Sequence, residues 1–198
     1  MKILLWLSMK IPLKYQSSEF DCATTSFLNA INYLFSTEEI NPEIIKMINL
    51  YTMDLSDEFK NPYKGGTSRK AIEKLTFVLN KYPKKFNLYY QVLKKEEVRL
   101  EKMEKCLDNN GVILIRCYQS VEHYVIITKI KKKWVYIFDP YYISRKKYKD
   151  KSFKIILNKP FLYNRKVKIE RLFEETKKDF SLGSISLRQC VLLNKIKR

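Results

Sequence analysis

Histidine occurs once in these 198 residues, glycine four times and proline six times. So little glycine and proline excludes a long flexible linker, and the length fits one domain over residues 1–198. With 45% hydrophobic and 14% aromatic residues, the chain can bury a substantial core and is not a disordered one. No stretch approaches the roughly eighteen apolar residues of a membrane span. The opening "MKILLWLSMK" holds only a short apolar run, less than the core of a secretory signal. These absences lead to the expectation of a soluble cytoplasmic protein with reduced thiols.

Close cysteine spacing is missing too. Cys22, Cys106, Cys117 and Cys190 include no pair separated like a zinc knuckle or a redox motif, and a lone histidine weakens any metal site further. Neither a metal nor an organic cofactor is expected. Acidic charge is scarce: 21 acidic residues against 39 basic ones leave a net charge of +18. Such a surplus suits nucleic acid, an anionic membrane or an acidic partner. Lysine supplies 31 of the 39 and is spread along most of the chain, so the excess reads as compositional bias, and nucleic acid is disfavoured as a partner. The densest basic stretch, Lys129 to Lys154, contains "KIKKKW" and "SRKKYKDK", which read as a hairpin turn and a solvated loop.

What is present shows clear periodicity. "KILLWL" and "KIPLKYQ" suit short strands or an extended lead-in, with Pro12 arguing for an edge. Phe27, Ile31, Leu34 and Phe35 recur at helical spacing from Cys22 to Phe35. Asn41-Pro42 opens a second helix, and Thr67 or Ser68 caps a third through "RKAIEKLTFVLNKY". "KKEEVRLEKMEKCLDNNG" reads as an amphipathic helix stopped by Gly111. "FNLYYQV", "VILIRCY", "HYVIITKI", "WVYIFDPYY", "FKIILN" and "RQCVLLNK" are strand-like, with a further helix near Ile169 to Lys177. Helices lead and strands follow, which predicts an α+β fold whose helices pack on a mostly antiparallel sheet.

Two places carry chemistry. Cys22 follows Ser17, Ser18, Glu19 and Asp21 at a helix start, where unpaired N–H groups and the helix dipole favour thiolate. The lysine cluster between "HYVIITKI" and "WVYIFDP" predicts a hairpin. A loop centred on Lys131 sets His123 opposite Asp139, Val125 opposite Ile137 and Ile127 opposite Val135. Directly opposed residues have Cβ atoms roughly 4.5–5.5 Å apart, close enough for a carboxylate to fix an imidazole. A structural His–Asp bond closing the sheet edge fits the same register. Thiolate attack on a carbonyl also needs donors for the oxyanion; the Cys22 N–H and the Gln16 amide are the candidates. Cys106, Cys117 and Cys190 sit in apolar patterns and read as core residues.

Gln16, Asp21-Cys22 with the helix behind them, a later His-Tyr-Val-Ile strand and a Phe-Asp-Pro sequence together resemble the bacteriocin-processing (double-glycine leader) peptidases, papain-like cysteine peptidases. The resemblance covers about residues 12–142, with 150–198 as a strand extension. It implies a papain-like fold, Cys22 as nucleophile, His123 as general base and later acid, Asp139 as its orienter and Gln16 at the oxyanion hole. Asp21 is a motif residue without a chemical step, and Ala23 stands where many relatives have glycine. These residues include no transporter part such as leader-processing members often carry, so a double-glycine leader is not the expected substrate. A peptide or amide is. Acyl transfer through the same triad is the enzymatic alternative, and a non-catalytic peptide- or nucleic-acid-binding module the alternative from another class.

Overall fold

The computed structural model of the chain describes residues 11–35, 40–82, 86–143 and 150–196. Its helices are α1 (Cys22–Phe35), α2 (Pro42–Tyr51), α3 (Arg69–Leu79), α4 (Leu100–Asp108) and α5 (Ile169–Leu172). The strands are β1 (Leu88–Lys94), β2 (Val112–Gln119), β3 (Val121–Lys131), β4 (Trp134–Phe138), β5 (Phe153–Ile155), β6 (Arg165–Lys168) and β7 (Gln189–Lys195). They form one sheet in the order β1-β7-β2-β3-β4-β6-β5. Every neighbouring pair is antiparallel. The α+β expectation holds. The last strand joins the sheet as expected and lies between β1 and β2.

The sheet is covered on both faces. Phe27 and Ile31 of α1, Ile44 and Ile48 of α2, and Ile72 and Leu75 of α3 pack with Leu114, Tyr124, Ile126 and Val191. Met103 and Cys106 of α4, with Leu172 and Phe180, pack with Ile113, Ile115, Val125, Ile127 and Leu192. β2 alternates between the two cores, which is why "VILIRCY" reads as a continuous apolar run rather than an alternating one. Full burial of a side chain such as Phe27 contributes about 2–3 kcal/mol.

Local signals explain most boundaries. Asn41 Oδ1 accepts from the Glu43 N–H at 2.9 Å with Pro42 at the first helical position, and Ser68 Oγ accepts from Ala71 N–H at 3.1 Å. Gly111 departs from the expected stop. Asn110 takes the left-handed turn, at φ 58°, and Gly111 is needed for close approach instead. A Cβ there would stand 2.4 Å from Asn194 Nδ2 and 2.6 Å from Cys106 Sγ. "KIPLKYQ" is an extended lead-in without a ladder over its described residues. Leu13 N–H donates to Pro160 O and Gln16 N–H to Pro140 O, each at 2.9 Å. "KILLWL" and most of "SRKKYKDK" lie outside the described residues.

The hairpin carrying His123 differs from its expected register. The turn is Lys132-Lys133, with Lys131 paired to Trp134, and a bulge at Thr128 slips the ladder so that Ile127 faces Ile137 and Ile126 faces Phe138. Val125 and Ile127 therefore do not face Ile137 and Val135. The bulge is held by Thr128 Oγ1 donating to Leu162 O at 2.8 Å. Near the site the combined displacement is two residues, an even number, so each side chain keeps its face. His123 and Asp139 become diagonal neighbours rather than direct opposites, still within reach of an imidazole.

Candidate active site

The site grows from the start of α1. Asp21 precedes the helix, and its carboxylate accepts from the N–H groups of Ser17 (3.1 Å) and Ser18 (3.0 Å) and from both serine hydroxyls. Burial pushes the Asp21 carboxyl up, but these hydrogen bonds outweigh it and hold it below the usual carboxylate range. Asp21 thus builds the tight turn that presents Cys22. Two further ties fix α1: Ser26 Oγ donates to Tyr124 O at 2.9 Å, beside His123 on β3, and Asn29 exchanges two 2.8 Å hydrogen bonds with the Lys14 backbone.

Cys22 is 7% exposed and belongs to the core cluster around α1. The exposed residues are those of the turn before the helix, Ser17 to Glu19; Cys22, Ala23 and Thr24 are buried, so the helix-start position does not put this thiol on the surface. Ala23 is fully buried, so its methyl group fills the core and does not narrow a cleft.

His123 Nε2 lies 2.8 Å from Asp139 Oδ1, and Cys22 is close enough to His123 to act on its ionisation. With Nε2 taken by the carboxylate, Nδ1 is the ring nitrogen that remains. Burial works to lower the His123 pKa, yet the hydrogen bonds and charges of Asp139 and Cys22 prevail and raise it to about 10. Around the other thiols burial dominates: it pushes Cys106 up to about 11 and raises Cys117 and Cys190 as well.

Asp139 is completely buried and fully engaged. Oδ1 also accepts from the Tyr141 N–H at 2.8 Å. Oδ2 faces Arg165 Nη2 at 3.2 Å and accepts from Gln119 Nε2 at 3.3 Å. Sequence reasoning missed Gln119, Asn164 and Arg165. β6 buries Arg165 and Val167 alternately. Strand alternation around Val167 is the signal that could have found it, masked by two lysines.

Gln16 lies beside this group, its segment tied down by Tyr15, whose ring meets Phe138 at 5.5 Å and Tyr142 at 5.1 Å. Gln16 Nε2 donates to Ser18 O at 2.7 Å. An amide NH2 has two hydrogens, so one donor remains. Gln16 and His123 line an open cleft of about 490 Å3 together with Gln119, Val121, Tyr141 and Tyr142. Its charged lining, besides His123, is Glu19 and Asp179, with no lysine or arginine among the described residues. Among those residues no three His, Cys, Asp or Glu side chains form a group able to hold a metal. No described helix is long and apolar enough to cross a membrane.

Helices over an antiparallel sheet, with a cysteine at a helix start, a strand histidine and a buried aspartate drawn together, make the arrangement of a papain-like cysteine peptidase. Residues 8–168 match the model of the Peptidase_C39 like family, and the chain belongs to that family. The match takes in β5 and β6, beyond the 12–142 over which the motifs are recognisable. Among solved structures the chain is similar to a C39-like peptidase from Bacillus anthracis, at 16% identity with a TM-score of 0.56, covering 97% of this chain and 96% of that one. It is also similar to the peptidase domain of Streptococcus ComA, a bifunctional ABC transporter involved in quorum sensing, at 14% identity and a TM-score of 0.46, covering 93% and 98%. No curated protein matches.

Proposed function

We propose that this protein is a cysteine peptidase or amidase working through a thioester acyl-enzyme, with Cys22 as nucleophile. The observation that carries the reading is one imidazole acted on by both partners, Asp139 at 2.8 Å from Nε2 and Cys22 near enough to shift its ionisation. A ring protonated at neutral pH offers the sulfur a countercharge, and the start of α1 adds the positive end of the helix dipole. The thiolate adds to the substrate carbonyl, and the oxyanion is met by the Cys22 N–H and the remaining Gln16 N–H. His123 then gives its proton to the leaving nitrogen as the C–N bond breaks, leaving the thioester. In the second half His123 takes a proton from water, the hydroxide oxygen bonds to the acyl carbon, and the thiolate leaves. Asp139 orients the ring throughout and stabilises its charged form.

The cleft lining supports a neutral or basic peptide over an acidic polymer, since its described charges other than His123 are carboxylates despite the net +18. The experiment is labelling with a library of peptides bearing a thiol-reactive electrophile, comparing wild type with Cys22→Ala and His123→Ala. The expected result is labelling at Cys22 in wild type, none at that position in Cys22→Ala, and a loss of at least about a hundredfold in rate in His123→Ala. Equal rates in wild type and His123→Ala overturn the reading.

A further inference from the structure

The two oxygens of Asp139 have different tasks. Oδ1 meets His123 and the Tyr141 N–H, while Oδ2 meets Arg165 and Gln119. Asp139 is 0% and Arg165 1% exposed, so water reaches neither. The guanidinium is itself held: Nη2 donates to Tyr141 O at 2.9 Å and Nη1 to Asn164 O at 3.0 Å. Asn164 fixes the Asp139 main chain from both sides, its Nδ2 donating to Asp139 O at 2.7 Å and its Oδ1 accepting from Asp139 N–H at 2.8 Å. Two successive residues beside and in β6 therefore hold the backbone and the side chain of the residue that orients the histidine.

We propose that Arg165 is a positioning residue of the Cys22–His123–Asp139 group, gripping Oδ2 so that Oδ1 is aimed at His123. The proposal rests on the nucleophile reading above. A carboxylate buried without a countercharge takes up a proton rather than stay ionised. A neutral Asp139 would no longer favour imidazolium, and the thiolate beside the ring would lose its countercharge. Arg165 supplies a positive charge against Oδ2, and its guanidinium fork, spread between Tyr141 O and Asn164 O, holds that charge in place. Losing the cation and losing the carboxylate's charge act in the same direction on Cys22: each makes its thiolate form only at higher pH.

The test is the rate of Cys22 alkylation by iodoacetamide against pH, mapped by mass spectrometry on the full chain, for wild type, Arg165→Gln and Arg165→Lys. Thermal melting is followed in parallel. The acid limb of the Cys22 profile is expected to move up by about one pH unit in Arg165→Gln, a roughly tenfold fall in rate on that side, and to return towards wild type in Arg165→Lys. A merely structural loss would lower the melting temperature and leave the limb in place. A folded Arg165→Gln whose profile superposes on wild type overturns the proposal. If Arg165→Gln does not fold, Arg165→Lys decides: charge without the fork is expected to lower the plateau rate by about threefold or more, and an unchanged limb and plateau overturn the proposal. Selective Cys22 labelling in wild type with unchanged variants removes only the role of Arg165. A wild type in which Cys22 labels no faster than Cys106 overturns the nucleophile reading, and this proposal with it.

Discussion

At the scale of single residues, His123 makes the site legible in the stability of the whole fold. Its pKa rises from 6.5 to about 10 on folding, because Asp139 and Cys22 together overcome the cost of burial. Below pH 6.5 both folded and unfolded chains hold the proton, and the full stabilisation is present. Between 6.5 and about 10 the folded chain binds more protons than the unfolded one, so stability falls as pH rises and the contribution is gone above 10. The gap in unfolding free energy between wild type and His123→Gln is therefore expected to be largest near pH 6 and to shrink steadily to pH 10. Lysines and tyrosines common to both cancel, so a gap constant across that range contradicts the coupling. Cys22, His123, Asp139 and Gln16 stand out in the sequence as candidates because a thiol after a polar helix start and a lone histidine are rare features. The burial of Cys22 does not, since the same flanking serines and acids suit an exposed or a buried sulfur. Arg165 was hidden for a related reason: a buried arginine is identified by its partners, and Asp139 and Tyr141 lie more than twenty residues away.

Among the elements, α1 bears the sulfur and must be held against both β3 and the lead-in that carries Gln16. Asn29 makes the second connection through its paired bonds to Lys14. Replacing it with alanine removes both, at an expected cost of about 1–2 kcal/mol. Faster hydrogen exchange is expected for the Leu13–Gln16 amides, while α2 keeps its protection. Unchanged exchange over Leu13–Gln16 would mean that the lead-in is held by something else. The helix bounds of α1 follow directly from Phe27, Ile31, Leu34 and Phe35, a strong 3.6-residue pattern. β6 did not stand out, because four residues with two exposed-type lysines give too little alternation. The bulge at Thr128 left no mark either: it is set by a bond to Leu162, distant in sequence, not by a local turn residue.

On the scale of the whole molecule, charge is separated from chemistry. The chain carries +18, yet the described cleft lining beside His123 holds Glu19 and Asp179 and no basic side chain. Polyanions drawn to the lysine surface should leave the cleft open. An oligonucleotide at low ionic strength, where such binding is strongest, is expected to leave the rate of Cys22 labelling by a neutral peptide electrophile unchanged within about twofold. Strong competitive inhibition would place the basic surface across the cleft. The sheet brings residues from three distant parts of the chain together, Cys22 from α1, His123 from β3 and Asp139 just beyond β4, and that convergence is the core of the account. Limiting iodoacetamide near neutral pH, followed by mass-spectrometric mapping of all four thiols, tests it most directly. Cys22 should be modified first, well ahead of Cys106, Cys117 and Cys190, whose ionisation burial suppresses. Equal modification of Cys22 and Cys106 would contradict it.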